Sequence, residues 1–288
     1  MKIRAPAKIN LTLRVVGRRA DGYHLIDSIM VPVSLYDEIE IRKRGSTARH
    51  GRVDEMIRIT CGHAALPLGK ENIVYRAAER IMKKAGKLQP VWIDIRKRIP
   101  VGAGLGGGST DAAATLLVLN RLLKLRLSLS DLEKIGLSLG ADVPFFIRGQ
   151  PARARGIGER LEPLPALPRF WALIVFPGFP VSTSWVYGKL RVTLTKPKVN
   201  ISIENPPKNF DELTNLLAND LESVTLKQYP EIGLLKERLL REGAARVLMS
   251  GSGSSVFGLF KSQRAARAGY RRMRTEEGAQ AFLVHMLN

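Results

Sequence analysis

A glycine-rich stretch near the middle of the chain limits the fold more than any other feature of this sequence. Five glycines lie within the seven residues 102–108, and two hydroxyl residues and an aspartate follow them. Glycine loses more conformational entropy on folding than any other residue, so this density is expected where the backbone needs positive φ or a close approach. The apolar residues of 112–125 recur at helical spacing, which predicts a helix after the glycines.

A glycine-rich turn that opens a helix directs free backbone N–H groups and the positive end of the helix dipole at one point, which favours phosphate binding. A tight turn at the start of a buried helix is the alternative explanation. Gly102, Gly104 and Gly107 also satisfy the dinucleotide pattern G-x-G-x-x-G. That pattern needs a strand directly before its first glycine, whereas residues 96–100 intervene and end in a proline, which cannot continue a central strand.

Two further nucleotide-binding classes are excluded by residues that the sequence lacks. No Lys-Ser/Thr pair follows the glycines, so the stretch is not a Walker-type loop. The H-R-D and D-F-G motifs of protein kinases are also missing. The remaining interpretation is that backbone amides of 104–108 wrap the phosphates, while Ser109 or Thr110 reaches a magnesium ion or a terminal phosphate oxygen.

Two residues could carry phosphoryl-transfer chemistry beside such a loop. Asp142 lies in a Gly-Ala-Asp-Val-Pro turn that we expect to enter a strand, and it is a candidate for a base or an orienting carboxylate. An Asx turn is the structural alternative. Lys8 lies in an apolar strand segment, where a desolvated ammonium could polarise an acceptor hydroxyl and offset charge on the transferred group. A lysine that extends from the strand to solvent is the structural alternative.

The composition is that of a globular protein with a strong positive charge. The 288 residues carry a formal net charge of +20 and 45% hydrophobic residues. The charge favours anionic partners, although scattered basic runs are typical of solvated faces. The single Cys61 excludes an internal disulfide, no apolar run is long enough to span a membrane, and the N-terminus shows no signal core, so we expect a cytoplasmic protein.

The remaining pattern predicts mixed helices and strands. A helix is expected over 72–84, and a second from a capping box at 130–133 to about residue 139. Residues 45–55 are predicted to form a surface loop, and 250–255 a second glycine–serine turn between strands. Strands are expected at 2–16, 25–33, 38–41, 56–61, 91–95, 171–176, 246–249 and 256–260.

Taken together, these motifs resemble those of the GHMP kinase superfamily. The glycine stretch Pro100–Thr110 carries the resemblance first. The segments Ala5–Leu11, Arg18–His24 and Gly140–Phe145 make it more specific, and they are similar to members that act on a methylerythritol unit linked to cytidine diphosphate. Shorter matches follow in the same order at 71–72, 155–159, 177–178 and 250–254, so the resemblance covers nearly the whole chain.

The resemblance implies an α+β fold of two domains, the first related to ribosomal protein S5, with the active site between them. We expect the domains to comprise 1–160 and 161–288. It also implies ATP and Mg²⁺ as cofactors and phosphorylation of the 2-hydroxyl of the methylerythritol unit, in the non-mevalonate pathway. The expected partners are small molecules rather than nucleic acid or membrane, and the expected state is a monomer or homodimer.

The same resemblance assigns roles to individual residues. Asp142 becomes the catalytic base and Lys8 its polarising partner. Asn10 is expected to hold the methylerythritol unit, Tyr23 and His24 to recognise cytosine, and Tyr187 to cover the other face of the base. The residues expected around ATP are Asn72, Pro100, Gly102, Ala103, Gly104, Leu105, Gly106, Gly107, Gly108, Ser109 and Thr110, with Ser109 also a possible metal ligand.

Two other functions stay open at this point. The first is a GHMP kinase that acts on mevalonate, homoserine or a sugar, for which the Tyr23–His24 pair would have no purpose. The second is a basic nucleic-acid-binding protein with an S5-like domain, which predicts binding that weakens steeply with salt. That second function would leave the glycine stretch and Asp142 without a role.

Overall fold

The computed structural model describes residues 1–45, 56–63, 66–190, 206–275 and 278–287. The chain divides into two compact units. The first comprises Met1–Ala7, Leu35–Ile99 and Gly106–Gly149, and the second comprises Lys8–Ser34, Pro100–Leu105 and Gln150–Asn288. The assignment of domains to 1–160 and 161–288 stays a prediction. The surface loop predicted at 45–55 lies, apart from Gly45, outside the described residues.

Two long strands supply residues to both units: β1 (Lys2–Arg18) and β2 (His24–Lys43). The sequence predicts a break in β2 between 33 and 38, but the strand is continuous there. In the first unit, the C-terminal part of β2 pairs antiparallel with β4 (Val91–Arg96). Strand β3 (Ile57–Cys61) pairs parallel with β4, and helix α1 (Ile73–Lys84) connects them as a β-α-β unit.

Three more helices complete the described part of the first unit: α2 (Gly107–Leu122), α3 (Leu129–Leu137) and α4 (Val143–Arg148). The predicted helix at 72–84 is confirmed as α1. Helix α2 begins five residues earlier than its apolar periodicity predicts, because Gly107, Gly108 and the hydroxyl residues that follow adopt helical geometry without contributing to that periodicity.

Two local predictions in this unit are wrong. The capping box uses Ser128 and Asp131 rather than Ser130 and Glu133, because both pairs have the required spacing and α3 begins at the earlier one. The turn that contains Asp142 leads into helix α4 and not into a strand. Pro144 lies in the first turn of α4, a position that does not require a backbone N–H.

The second unit contains two groups of strands. The hairpin β5 (Ala152–Gly156) and β6 (Arg160–Pro163) adds to β2 through residues 26–30, and β8 (Ala218–Asn219) pairs parallel with β1. A separate antiparallel sheet has the order β11-β7-β10-β9. Its strands are β7 (Trp171–Phe176), β9 (Arg246–Met249), β10 (Val256–Phe260) and β11 (Gln280–His285).

The described part of the second unit also contains the helices α5 (Thr183–Lys189), α6 (Phe210–Asn215), α7 (Glu222–Gln228), α8 (Pro230–Arg241) and α9 (Gln263–Met273). Helices α8 and α9 pack against this sheet and share an apolar core with it. Leu173, Val175, Val256 and Leu239 belong to the core cluster and are fully or almost fully buried. The turn 250–255 joins β9 to β10, so this core fixes the ends of that turn.

Candidate active site

The glycine stretch is divided between the two units after Leu105. In the second unit, Gly104 has φ +76°, and a Cβ at this position would lie 2.0 Å from the backbone oxygen of Ser250. No residue with a side chain fits there, so this glycine serves a close backbone approach. The Oγ of Ser250 also donates to the Gly104 oxygen at 3.0 Å, and the N–H of Ser255 donates to the Ala103 oxygen at 3.3 Å. The second glycine–serine turn therefore supports the loop directly.

Lys8 lies against the same part of the loop. Its backbone N–H donates to the Leu105 oxygen at 3.0 Å, which joins β1 to the glycine stretch. Its side chain does not extend to solvent, since the residue is 5% exposed. The Nζ donates to Oδ1 of Asn10 at 2.5 Å and lies 3.6 Å from the place of a Cβ at Gly251. The structure thus places a buried ammonium beside a loop of backbone amides.

The side chains of Asn10 and Ser28 continue a buried chain of hydrogen bonds from Lys8. The Nδ2 of Asn10 donates to Oγ of Ser28 at 2.8 Å, and that hydroxyl donates to the Thr12 oxygen at 2.5 Å. Both functions of the Asn10 amide are therefore used inside the protein, which orients its oxygen toward Lys8. Ser28 was not predicted, because a serine within an alternating strand carries no signal of its own.

In the first unit, the remaining part of the stretch begins helix α2. Gly106 is its N-cap, with φ +75°, and its oxygen accepts from the Thr110 N–H at 2.9 Å. Thr110 is buried, whereas Ser109 is partly exposed and its Oγ lies 3.8 Å from the place of a Cβ at Gly140. Ser109 therefore faces the turn that carries Asp142. Such a helix start can bind an anion through its first N–H groups.

Asp142 occupies the N-cap position of α4 and is partly exposed. Its φ of −81° and ψ of −12° are helical, and its carboxylate makes no capping hydrogen bond to α4. The carboxylate therefore does not cap α4, and the Asx turn stays a prediction.

Asn72 is the N-cap of α1 and is almost fully buried. Its Oδ1 accepts from the Val74 N–H at 2.9 Å, and its Nδ2 donates to the Pro67 oxygen at 2.7 Å. The neighbouring Ile73 has a methyl group 3.6 Å from the place of a Cβ at Gly108. The start of α1 thus lies beside the glycine stretch, although the Asn72 amide itself is used locally.

Three aromatic residues predicted to recognise a base lie in the second unit. Tyr23 is 60% exposed in the turn before β2, and His24 begins that strand. The rings of His24 and Tyr187, which belongs to α5, have centroids 5.1 Å apart and planes inclined by 33°. Partial burial and then the positive charge of Arg18 lower the pKa of His24, which favours its neutral form.

A buried ion cluster beneath the start of α2 was not anticipated from the sequence. Lys97 Nζ contacts Oδ2 of Asp37 and lies 2.8 Å from Oδ2 of Asp111. Burial lowers the pKa of Lys97, but the attraction of Asp111 and Asp37 together outweighs it and the net shift is upward. Burial raises the pKa of Asp111 to about 8 despite the opposing charge of Lys97. Lys97 could have been found from the alternation of buried residues in β4. Val91, Ile93 and Ile95 are buried, and Lys97, directly after the strand, is the next position in the same alternation.

Neither a metal cluster nor a membrane span emerges from the described residues. Within them, no group of three or more His, Cys, Asp or Glu side chains could hold a metal ion. No helix in the described part of the chain is long and apolar enough to cross a bilayer.

Comparison with known proteins identifies the class first. The model of the GHMP kinases N terminal domain matches residues 72–150, and that of the GHMP kinases C terminal domain matches residues 202–280. Homoserine kinase from Cytophaga hutchinsonii, at 21% identity and a TM-score of 0.75 over 98% of this chain and 93% of that one, has the same fold. These matches confirm the predicted two-domain α+β fold of the GHMP kinases.

Closer relatives narrow the class to one family. The 4-diphosphocytidyl-2-C-methyl-D-erythritol kinase of Syntrophotalea carbinolica is 46% identical over 99% of this chain and 98% of its own length. The protein of that name from Geobacter sp. strain M21 is 49% identical over 93% and 92%. A crystal structure of 4-(cytidine 5'-diphospho)-2C-methyl-D-erythritol kinase superposes over the full length of both chains, with a TM-score of 0.82 and 37% identity. The chain belongs to the 4-diphosphocytidyl-2-C-methyl-D-erythritol kinase family, as its motifs predict.

Proposed function

We propose that this protein transfers the γ-phosphoryl group of ATP to the 2-hydroxyl of 4-diphosphocytidyl-2-C-methyl-D-erythritol, a step of the non-mevalonate pathway to isoprenoids. The observation that carries the proposal is the identity of 46% over 99% of the chain to a relative with that name. Mevalonate, homoserine and sugar kinases share the fold at much lower identity, and a nucleic-acid-binding function has no support among these relatives.

In this proposal the glycine stretch binds ATP. The amides of 104–108 surround the phosphates, and the start of α2 adds its N–H groups and dipole. Asn72 and Ile73 lie on the adenine side, which the contact between Ile73 and Gly108 supports. The Ser250 contacts keep the Gly104 backbone in its left-handed conformation, so the amides are oriented before the nucleotide arrives.

Asp142 and Lys8 are the proposed catalytic residues. The Asp142 carboxylate accepts the proton of the 2-hydroxyl as the hydroxyl oxygen bonds to the γ-phosphorus, while the bond from that phosphorus to the ADP oxygen breaks. The Lys8 ammonium offsets negative charge on the transferred group. Its burial supports this role, since a charge acts more strongly where water is excluded.

Mg²⁺ belongs to the proposal, with the ATP phosphates as its main ligands. This ion is commonly held by substrate phosphates and water together with one or two protein oxygens, usually carboxylates, rather than by a full protein cage. The partly exposed Ser109 hydroxyl at the start of α2 would be such a donor. When bound, the ion would offset phosphate charge. A cytoplasmic location is likewise part of the proposal.

The acceptor is proposed to bind through its cytosine. The exposed Tyr23 ring and the His24–Tyr187 pair offer flat faces and ring nitrogens to a base. A neutral His24, which its lowered pKa favours, can both donate and accept hydrogen bonds. Asn10 would reach the methylerythritol unit through the second N–H of its Nδ2 or a second bond of its oxygen, because Ser28 and Lys8 each use one position on the amide.

A coupled ADP-release assay with four acceptors tests the proposed function. The purified protein is given ATP and Mg²⁺ with 4-diphosphocytidyl-2-C-methyl-D-erythritol, mevalonate, homoserine or galactose. We expect turnover with the cytidylyl acceptor alone. Turnover with mevalonate, homoserine or galactose, and none with the cytidylyl acceptor, would show another GHMP kinase. Failure with all four would overturn the assignment.

A further inference from the structure

The buried cluster of Asp37, Lys97 and Asp111 has no part in the chemistry described above. The side chains of all three are at most 5% exposed. One ammonium lies between two carboxylates, and Oδ1 of Asp111 is buried without a hydrogen-bond partner among the described residues. An ion cluster of this kind adds little stability compared with apolar residues of the same size, so its presence suggests a more specific role.

The cluster joins the segment that enters the glycine stretch to the segment that leaves it. On the entering side, Oδ1 of Asp37 accepts from the N–H groups of Arg98 at 2.6 Å and Ile99 at 2.9 Å. On the leaving side, Asp111 belongs to the first turns of α2 and accepts from Lys97. Residues 97–99 and 107–111 all lie in the first unit, so the contact fixes both stems of the loop within one compact body.

The ammonium also lies directly against the first residue of α2. A Cβ at Gly107 would be 3.1 Å from Lys97 Nζ and 3.1 Å from a methyl group of Ile99. The start of α2 therefore packs against Lys97. Its position relative to residues 97–99 depends on where the ammonium is held. Asp37 sets that place from β2 and Asp111 from α2.

We propose that Lys97, held between Asp37 and Asp111, is a positioning residue for the nucleotide: it clamps the segment that enters the glycine stretch to the start of α2, so that the first N–H groups of α2 are held in place to receive the phosphates. This inference rests on the proposed function in so far as the loop binds ATP. A loop with fixed stems has fewer conformations in the free protein, so it loses less conformational entropy when the nucleotide binds. The clamp therefore raises nucleotide affinity without contacting the ligand.

Substitutions at Asp111 test the clamp without leaving a net buried charge. Asp111→Ala removes the acceptor on α2 and leaves Lys97 paired with Asp37. Asp111→Asn keeps an oxygen that can accept from Lys97. The dissociation constant of ADP is measured by titration calorimetry, which needs no acceptor, and the KM values of ATP and of the cytidylyl substrate are measured in the kinase assay.

We expect Asp111→Ala to weaken ADP binding and to raise the KM of ATP by about tenfold, with the KM of the cytidylyl substrate unchanged. Asp111→Asn should stay close to the unmodified protein. Ile93→Ala, which truncates a buried side chain of β4, is the matched control that lowers thermal stability but should leave ADP affinity unchanged. Lys97→Met, where it folds, should match or exceed the effect of Asp111→Ala.

Three results would overturn the clamp. One is a lower melting temperature of Asp111→Ala with unchanged ADP affinity, which would make the cluster structural only. The second is an equal loss in Asp111→Asn, and the third is an equal loss of ADP affinity in Ile93→Ala. An unmodified protein that binds ADP but does not phosphorylate the cytidylyl substrate would refute the proposed acceptor and leave the clamp to be judged on ADP affinity.

Discussion

The Nζ of Lys8 donates a hydrogen bond to Oδ1 of Asn10 at 2.5 Å, and both side chains are almost completely buried. The Asn10 amide is held in this orientation by Ser28, whose Oγ accepts from Nδ2 at 2.8 Å. Ser28 thereby determines which side of the Asn10 amide faces the proposed catalytic lysine.

Ser28→Ala should therefore impair catalysis. The change leaves a buried amide donor without its acceptor, which costs about 1–3 kcal/mol, and it frees the amide to turn its Nδ2 toward Lys8. We expect kcat to fall by roughly tenfold because the ammonium is displaced. Ser28→Thr, which keeps the hydroxyl, should restore most of the rate in the ADP-release assay.

Thr214→Ala is the matched control for Ser28→Ala. It also removes a hydroxyl that donates to a backbone oxygen, that of Asp211 at 2.9 Å, in a residue 7% exposed. This control should lose stability and keep its kcat. An unchanged kcat in folded Ser28→Ala would show that Ser28 does not position Lys8.

Asp142→Asn should abolish most phosphoryl transfer. An asparagine keeps the size of the side chain but cannot accept a proton, so we expect kcat to fall by about 10²- to 10⁴-fold. The KM values of both substrates should be largely unchanged, because the proposed contacts to ATP and cytosine come from other residues. Steady-state kinetics with each substrate varied in turn measures this separation.

Asp131→Asn provides the comparison for Asp142→Asn. Asp131 also lies at a helix N-terminus of the first unit, where its carboxylate accepts from Ser128 in the capping box. Its loss should cost about 1 kcal/mol of stability without changing kcat. If Asp142→Asn retained normal turnover, the assignment of the base would be wrong.

The sequence predicts motifs more fully than it predicts the contacts that support them. The glycine stretch, Lys8 and Asp142 stand out because glycine density, a lysine in an apolar strand and an aspartate two residues before a proline are unusual locally. Ser28 has no such mark, since its role comes from Asn10 on a neighbouring strand. The start of α2 was missed because Gly107 carries no apolar side chain, although it is helical.

The errors at the capping box and at α4 have related causes. Two serine–acid pairs overlap at 128–133, and their sequence cannot decide between them because both satisfy the spacing. Helix α4 is short, and its residues 143–147 are all apolar, so the segment shows neither helical nor strand periodicity. Packing in the first unit determines its conformation, and packing is not visible in a local pattern.

Gly104→Ala should disrupt nucleotide binding. The added Cβ would lie 2.0 Å from the Ser250 oxygen, so either the loop or the turn 250–255 has to move. The positive φ adds a further penalty of about 1–2 kcal/mol for a residue with a side chain. We expect ADP affinity to fall by at least about tenfold because the loop amides are displaced, and calorimetric titration measures it.

Gly86→Ala separates backbone strain from the clash. Gly86 has φ +60°, but a Cβ there would meet nothing within 4 Å. This variant should lose about 1–2 kcal/mol of stability and keep its ADP affinity. Equal ADP affinity in the Gly104 and Gly86 variants would show that the contact with Ser250 does not shape the loop.

Asp111→Asn should change how stability depends on pH. Burial raises the Asp111 pKa from an ordinary 3.8 to about 8, so the folded state binds a proton that the unfolded state has released. The contribution of this group to stability is therefore complete below about pH 4 and is lost as the pH rises toward 8. Asp111→Asn removes that loss, while Lys97 and Asp37 remain.

Urea unfolding at a series of pH values measures the effect. At each pH we take the free energy of unfolding of Asp111→Asn minus that of the unmodified protein. This difference should be larger at pH 8.5 than at pH 5, by at least about 1 kcal/mol. Asp94→Asn, at a partly exposed aspartate of β4, should show no such gain. If the free energies of unfolding of Asp111→Asn and the unmodified protein differed by the same amount at every pH, the raised pKa of Asp111 would be contradicted.

Tyr187→Ala tests the proposed cytosine pocket. Its ring lies 5.1 Å from that of His24, so its loss removes one aromatic face that a base could use. Stacking on an aromatic side chain contributes about 1–3 kcal/mol per base, which corresponds to a KM of the cytidylyl substrate raised by roughly 10-fold or more. The KM of ATP should not change. Tyr23→Ala should have an effect of the same kind.

His285→Ala is the matched control for the aromatic variants. His285 pairs with Trp171 at a centroid distance of 5.3 Å in the same unit, but neither residue belongs to the proposed site. Removing this histidine should leave both KM values unchanged. If Tyr187→Ala raised the KM of ATP instead of the KM of the cytidylyl substrate, the aromatic pair would belong to the nucleotide site. The cytosine would then have to bind elsewhere, and the specificity proposed for Tyr23 and His24 would fail with it.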